Sequence, residues 1–376
     1  MKVLLGLSGG VDSAVAAYLL KKEGYDVTCC FMRNWDAMAN NDVLGNPTIG
    51  DNQCPQEKDY DDAKKVAEKL GLKLLRKDYV EEYWDNVFTY FLKEYSEGRT
   101  PNPDIFCNKY IKFGPFLDFA KENDFDMIAM GHYAKRVDKD GKTYLLKAKD
   151  LNKDQTYFLS QISLDQLKSC LFPLGDLLKS EVRKIAHELD LESVEDKKDS
   201  TGVCFIGERN FKEFLKNYIP AQKGNIVDIE TKAVLGEHEG VMYYTIGQRK
   251  GLGIGGINGL PTQGWFVCKK DIKNNILYVA SGGEDKHLFS DESIIKDINL
   301  FNGKIENGTH LNVKFRYRQK DQGVTVFNQE DGSIKLIHDE PYKAVTPGQA
   351  CVFYDGDVCL GGGIIDKVFN KGKLIN

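Results

Sequence analysis

Apolar and polar positions alternate in two rhythms over the first 130 residues. Residues 2–7 (KVLLGL) form a short unbroken apolar run, as a strand buried on both faces requires. Residues 13–22 (SAVAAYLLKK) carry a helical period that Gly24 closes. A strand over 27–32 follows, then a helix over about 57–70 stopped by Gly71. Residues 72–75 read as a strand, 81–97 and 110–121 as helices, and 126–130 as another short strand. Such alternation predicts an α/β fold, a Rossmann-like parallel sheet covered on both faces. Residues 33–56 are rich in Asn, Asp, Gly and Pro and have no period, which predicts a long, mobile loop.

The pattern changes after residue 205. A short helix (211–218) gives way to Gly-rich, alternating segments. Residues 310–317, 323–327, 334–338 and 350–360 read as antiparallel strands joined by turns such as Glu330-Asp331-Gly332, predicting a small C-terminal antiparallel β-barrel or sandwich. The expected domains are 1–205, a central Gly-rich module over 206–282, and the barrel over 283–376. A length of 376 residues suits two or three cores.

Composition narrows the class. Hydrophobic residues make up 41% and charged residues 28%, an ordinary globular mixture. No apolar run approaches a membrane span, so no membrane partner is expected, and the start MKVLLGLSGGVDS is too short a hydrophobic stretch for a secretory signal. Nine cysteines with no CxxC pair favour a reducing, cytoplasmic setting and disfavour a zinc ribbon or a locally ligated iron–sulfur cluster. The net charge of −5 excludes gross electrostatic capture of nucleic acid, so an RNA partner would rely on local patches.

The strongest chemical signal is Leu7-Ser8-Gly9-Gly10-Val11-Asp12-Ser13, between the first strand and the first helix. Glycines let the backbone approach an anion, the serines add hydroxyl donors, and the helix start supplies unpaired N–H groups. Asp12 cannot bind phosphate itself; its expected role is to hold a Mg ion that bridges phosphate oxygens. The loop lacks the Gly-Lys-Ser/Thr of a Walker A motif. SGGVDS instead resembles the PP-loop of N-type ATP pyrophosphatases, which split ATP into AMP and pyrophosphate while adenylating a carbonyl oxygen. Two other patterns fail on context. Gly251-Leu-Gly253-Ile-Gly255-Gly256 matches G-x-G-x-x-G but runs into Ile257-Asn258-Gly259 and Pro261 instead of a helix. Gly141-Lys142-Thr143 follows Asp140 as a hairpin turn would.

Among the cysteines, two stand in polar, Gly- or Pro-flanked segments. Cys107 lies in Arg99-Thr-Pro-Asn102-Pro103-Asp104-Ile-Phe-Cys107, read as a rigid loop that leads into a helix near Tyr110. A thiol at that helix start, beside Lys109 and Lys112, would be activated, and Asp104 three residues earlier could move a proton. Cys204 lies in Asp199-Ser-Thr-Gly202-Val-Cys204-Phe-Ile-Gly207. Cys29, Cys30, Cys170, Cys268, Cys351 and Cys359 sit within apolar runs and read as buried hydrophobes; the reading leaves Cys54 open.

Taken together, SGGVDS, EYWDNVF, GRTPNPDIFCNKYIKFG, GHYAK, NKDQTYFLS, KKDSTGVCFIGERNF, YTIGQRKGLGIGG, FRYRQ and TPGQACVFYDGDVCLGGGII resemble the blocks of the bacterial tRNA-specific 2-thiouridylases over essentially the whole chain. The resemblance implies an adenine-nucleotide α-hydrolase-like catalytic domain, with ATP and Mg used to adenylate the 2-oxygen of a wobble uridine in tRNA (the Lys, Glu and Gln isoacceptors). It implies a persulfide on Cys204, loaded by a cysteine desulfurase or a sulfur-relay protein, with Cys107 either releasing hydrosulfide or closing a disulfide with Cys204. Asp104 is the implied general acid/base. ATP is expected at Gly6, Leu7, Ser8, Gly9, Gly10, Val11, Asp12, Ser13, Met32 and Gly131. The target base is expected at Asn102, Pro103 and Asp104. The tRNA is expected at His132, Lys153, Asp154, Gln155, Arg316, Tyr317 and Gln349, with Arg316, Tyr317 and Arg318 alternating along one strand. The rival reading is a PP-loop ligase or amidotransferase for a small carbonyl compound; its pyrophosphate release would not depend on tRNA.

Overall fold

The structure is a computed structural model and describes residues 1–48, 50–51, 54–191, 193–194, 210–254 and 263–375. The first sheet is parallel throughout. Its strands are β1 (Lys2–Gly6), β2 (Asp26–Arg33), β3 (Lys73–Asp78), β4 (Met127–Ala129) and a two-residue edge, Cys170–Leu171, in the order β3-β2-β1-β4-edge. The period of two along β1 divides its side chains: Val3 and Leu5 join one core, Leu4 the other. Helices α1 (Val11–Lys22) and α2 (Pro55–Leu70) cover the first face. The second face takes α3 (Val80–Tyr83), α4 (Thr89–Ser96), α5 (Pro103–Cys107) and α6 (Pro115–Glu122). Trp84–Phe88 and Asn108–Lys112 are π-turns within that second layer.

The expected mobile loop is packed over 33–48. Trp35 is 2% exposed, donates its indole N–H to Asp42 (3.0 Å), and meets Phe88 with ring centroids 4.9 Å apart. The loop also docks on helix α7 (Phe211–Leu215), in the first described segment past residue 209. The Asn217 side chain accepts from the Val43 and Leu44 N–H groups and donates to the Leu44 carbonyl, while the Tyr218 hydroxyl donates to the Asn40 carbonyl. Aromatic anchoring and side-chain-to-backbone bonds order this segment without any period a sequence could display.

A second sheet combines β5 (Gly224–Asp228), β6 (Val234–His238), β7 (Trp265–Asp271) and β8 (Ile276–Ser281) in the order β7-β8-β5-β6. The third is a closed antiparallel barrel of β9 (Phe289–Leu300), β10 (His310–Lys314), β11 (Gln322–Asn328), β12 (Ile334–Lys343), β13 (Ala350–Asp355) and β14 (Val358–Asn370). Pairing of β9 with both β12 and β14 closes the ring. The hairpin predicted at Asp140-Gly141 is present, with φ of 52° and 72° there. Its strands, Lys135–Lys139 and Lys142–Leu146, extend the barrel sheet rather than the parallel one, because Leu146 and Leu145 pair with Val358 and Cys359. Strand β10 ends at Lys314, so Arg316, Tyr317 and Arg318 do not alternate along a strand as expected. The Phe315 N–H bonds the Gln319 side chain instead of a ladder partner, and 315–319 is a turn.

No helix among the described residues is long and apolar enough to cross a membrane. Six cysteines read as buried hydrophobes are buried; burial pushes the Cys29, Cys30, Cys268 and Cys359 thiols up to about 12, and those of Cys170 and Cys351 upward as well.

One barrel histidine gives the fold an acid limit. His338 of β12 lies between Ser293 Oγ and the Ser290 carbonyl, both 3.0 Å away, and burial lowers its pKa to about 4 against partial compensation from Ser290, Asp291, Glu292 and Asp339. The unfolded chain, with an ordinary imidazole near 6.5, takes up the proton first. Its contribution is therefore complete above that value and is lost as pH falls towards 4, up to about 3 kcal/mol. Urea unfolding at pH 7 and pH 4.5 is expected to show a larger fall for the natural chain than for His338→Gln. Equal falls in the two proteins would refute this.

Candidate active site

Strand order reverses between β1 and β4, and ligands of open α/β sheets bind at the carboxyl ends of the strands beside such a reversal. The loop Leu7–Ser13 leaves β1 at that position, and Gly131 follows β4. Three glycines account for how closely the pieces approach. A Cβ on Gly131 would lie 3.0 Å from the Ser13 nitrogen, so only glycine lets the end of β4 reach the start of α1. A Cβ on Gly6 would meet Met32 Cε at 2.9 Å and Met130 Sδ at 3.0 Å, so these two methionines flank β1 with an apolar floor. Gly9, at φ +74°, lies against the α2 backbone, where a Cβ would come within 2.2 Å of the Asp59 carbonyl oxygen.

The loop itself is braced from inside. Ser13 Oγ accepts from the Ser8 N–H (3.1 Å), donates to the Gly10 carbonyl (3.0 Å) and touches Ser8 Oγ. Among the described residues no side chain caps α1. A Cβ on Gly10 would meet, among those residues, only Ser8 Oγ, at 3.5 Å. A glycine cradle at the start of a twelve-residue helix fits a polyphosphate.

Asp12 has partners that the sequence did not disclose. Lys179 Nζ lies 2.7 and 2.8 Å from its two carboxylate oxygens, and the Tyr133 hydroxyl donates to Oδ1 at 2.8 Å. Lys179 opens the helix Lys179–Glu188, which has no motif to mark it. Asp12 offers the carboxylate chemistry a magnesium ion prefers, beside the phosphate cradle.

The Arg99–Cys107 segment is held by the barrel. Arg99 pairs with Glu94 (2.7 Å) and donates to the Ile365 and Asp366 carbonyls, while the Thr100 N–H donates to the Pro347 carbonyl. Asn102 then caps α5, its side chain accepting from the Asp104 N–H, with Pro103 at the first helical position. The helix thus starts well before Tyr110. Cys107 is its fifth residue, 1% exposed, rather than a thiol at the helix start as expected. Any help from the helix end fades within the first turn, so the expected activation loses that source. Asp104 and Cys107 remain three residues apart on one helical face. A π-turn begins directly after Cys107, a distortion frequent at functional sites. Cys204 lies outside the described residues.

Several residues expected to touch tRNA have structural partners. Arg316 donates one guanidinium nitrogen to the Ile246 and Ala344 carbonyls and to Thr346 Oγ1, tying the central module to the barrel. Tyr317 packs on Phe158 with centroids 4.4 Å apart. Gln349 donates to the Thr100 carbonyl at 2.6 Å and so positions the Asn102 loop. Asp154 is 2% exposed, and its carboxylate accepts from Ala148 N–H and Thr156 Oγ1; burial raises its pKa. Gln155 accepts from the Tyr133 N–H, and its own N–H donates to the Tyr133 carbonyl. Lys153 is half-buried. His132 is 8% exposed, and its Nδ1 has no hydrogen-bond partner among the described residues. Burial, reinforced by Lys112, holds this imidazole neutral.

Removing the Arg99 anchor tests how far the barrel shapes the site. Arg99→Met leaves Glu94, 7% exposed, without the ion pair that neutralises it, at a cost of about 3 kcal/mol. Calorimetry is expected to show a drop of several degrees in Tm. Hydrogen exchange is expected to show faster exchange over 99–107, and unchanged exchange there would refute the anchoring role.

Comparison with known proteins covers all three sheets. Residues 1–208 match the model of the tRNA methyl transferase HUP domain, 212–281 the tRNA methyl transferase PRC-barrel domain, and 290–365 the aminomethyltransferase β-barrel domain. The chain is 55% identical to the tRNA-specific 2-thiouridylase MnmA of Mycoplasma capricolum, over 98% of this chain and 99% of that one. It is 52% identical to the MnmA of Acholeplasma laidlawii (99% and 98% covered) and 54% identical to MnmA 1 of Geobacillus kaustophilus (98% and 96% covered).

Proposed function

The chain belongs to the tRNA-specific 2-thiouridylase family, and from that membership we propose how its residues carry out the reaction. It is an enzyme that uses ATP to convert a uridine of tRNA into 2-thiouridine. The observation that carries this reading is identity above half over the full chain, barrel included, on a fold whose phosphate cradle lies at the strand-order reversal. A methyl transfer, the activity named in two of the matched domain descriptions, would have no use for a loop of this type or for two reactive thiols.

The proposed steps follow the chemistry of the residues. The loop 7–13 binds the polyphosphate of ATP, with the adenine side at Met32 and Gly131. Asp12 would hold magnesium, which would supply charge neutralisation at the phosphates. Asn102, Pro103 and Asp104 hold the uridine, splayed out of its stack. Its 2-oxygen attacks the α-phosphorus, the α–β bond breaks and pyrophosphate leaves. The adenylated oxygen is then a good leaving group. Sulfur from a persulfide on Cys204 replaces it at C2, and AMP departs. Cys107 attacks the Cys204 sulfur, either freeing hydrosulfide for that displacement or releasing the thiolated base. Both routes end in a Cys107–Cys204 disulfide that a thiol reductant must reopen. Asp104 moves the proton.

The sulfur donor is proposed to be a cysteine desulfurase or relay protein, and the substrates tRNAs for Lys, Glu and Gln with the wobble uridine as target. The proposed domains are 1–205, 206–282 and 283–376. Arg316, Gln349, Gln155 and Asp154 support the RNA surface from beneath. His132, Lys153 and Tyr317 are the side chains proposed to reach it.

The test is thiolation of an anticodon stem-loop by purified protein with magnesium, ATP and either sulfide or a desulfurase, read by mass spectrometry. 2-Thiouridine that requires ATP is expected. Pyrophosphate release with a small carbonyl compound, independent of tRNA and without thiolated product, would replace this reading with the ligase reading.

A further inference from the structure

Helix α5, which carries Cys107, is held at its two ends by different contacts. Its start is tied to the barrel through Arg99, Thr100 and Gln349, and these bonds fix Asn102, Pro103 and Asp104. Its end is tied elsewhere. Asn108, the residue after the thiol, is 2% exposed, and its Nδ2 donates to the Phe158 carbonyl at 3.0 Å. Lys109 Nζ adds a contact to Gln161 Oε1 at 3.3 Å. Phe158 and Gln161 belong to one anchored platform. The Tyr157 hydroxyl donates to the Ala350 carbonyl (3.1 Å), and Gln161 Nε2 donates to the Asp297 and Gly362 carbonyls (3.1 and 3.0 Å).

We infer that Asn108 is a positioning residue for the sulfur-transfer step: its side-chain amide fixes Cys107, while the residues that hold the uridine keep their own anchor. A helix of five residues is too short to hold its own register. It runs into a π-turn, in which the Phe113 N–H reaches back five residues to the Asn108 carbonyl (2.9 Å). That geometry is rare and needs tertiary support. Without the amide the turn can relax to ordinary helical spacing, and the neighbour displaced first is Cys107. Packing alone does not account for an asparagine here. Its Oδ1 is buried with no hydrogen-bond partner among the described residues, a cost that an apolar side chain would not carry. Nucleophilic attack tolerates little misplacement, since an error of about 1 Å can cost about a hundredfold in rate. Adenylation uses the phosphate cradle and residues 102–104, so the two half-reactions depend on different anchors.

This inference rests on the thiolation reading of Cys107, and following the two half-reactions separately distinguishes them. Asn108→Leu removes the amide at similar shape, and Asn108→Ala is run alongside in case the leucine variant does not fold; a thermal scan accompanies each. The full chain and both variants are mixed with an anticodon stem-loop, ATP, magnesium, a cysteine desulfurase and cysteine. Pyrophosphate and 2-thiouridine are followed through the first turnover. Pyrophosphate release is expected to stay within about twofold of the natural chain, while 2-thiouridine formation slows at least about tenfold. Equal slowing of both products would make Asn108 a support of the whole site and overturn the inference. Unslowed thiolation by a folded variant would do the same, and so would failure of both variants to fold. A natural chain that releases pyrophosphate but makes no 2-thiouridine would remove the thiolation reading and this inference with it.

Discussion

Gly9→Ala is expected to weaken ATP binding about a hundredfold, the size of losing an aimed phosphate donor together with the strain of the new residue. Two costs combine at this position. A φ of +74° is uncomfortable for any residue with a Cβ, by about 1 kcal/mol. The new carbon would also lie 2.2 Å from the Asp59 carbonyl oxygen, a backbone atom of α2 that no rotamer change can move. The loop must therefore shift, and its N–H groups lose their aim. Gly10→Ala separates aim from access, because among the described residues its Cβ would meet only Ser8 Oγ, at 3.5 Å. That variant is expected to keep the natural Tm yet still bind ATP poorly, because the methyl takes up room in the cradle. Calorimetric titration with ATP and a thermal scan on each variant decide the matter. Gly9→Ala binding within threefold of the natural chain would refute the account.

Cys107→Ser is expected to reduce persulfide-dependent 2-thiouridine at least about a hundredfold, since a hydroxyl at neutral pH cannot replace a thiolate as nucleophile. The substitution is nearly isosteric, but Cys107 is 1% exposed, so a thermal scan must accompany the assay. Cys204→Ser is expected to fail equally, and the double variant no worse than either, as for groups that act as one unit. Mass spectrometry of a stem-loop incubated with desulfurase, cysteine and ATP measures it. Product from Cys107→Ser above a tenth of the natural level would reduce Cys107 to a packing residue.

The sequence was most legible where physics acts locally. A short unbroken apolar run bounded by a glycine turn suits a buried strand, and β1 is one. SGGVDS announced its own function because glycine, hydroxyl and helix start are adjacent in the chain. Local signals also misled. Asn102-Pro103 is a helix start, with cap and first-turn proline in order, but two prolines two residues apart also suggest a loop, and that pattern puts Cys107 at the start of a helix it actually ends. Arg316 followed an alternating strand pattern that Gln319 terminates by taking the Phe315 N–H. Lys179 had no signal, being one of two lysines in an amphipathic helix, and only a contact across 167 positions places it on Asp12. The 33–48 loop failed for the same reason, as its order comes from Trp35 and from Asn217, far along the chain.

The hairpin over 135–146 carries a consequence for how the chain is made. Its second strand leaves the ribosome about 210 residues before Val358, the partner that completes its pairing. At synthesis speeds of roughly 5–20 residues per second, that edge waits for about 10–40 s with unpaired N–H and C=O groups. The parallel-sheet half therefore cannot finish folding as an isolated unit during translation. A chain truncated before the barrel would retain this open edge permanently, and we expect it to accumulate in the insoluble fraction even though every residue of its phosphate cradle is present.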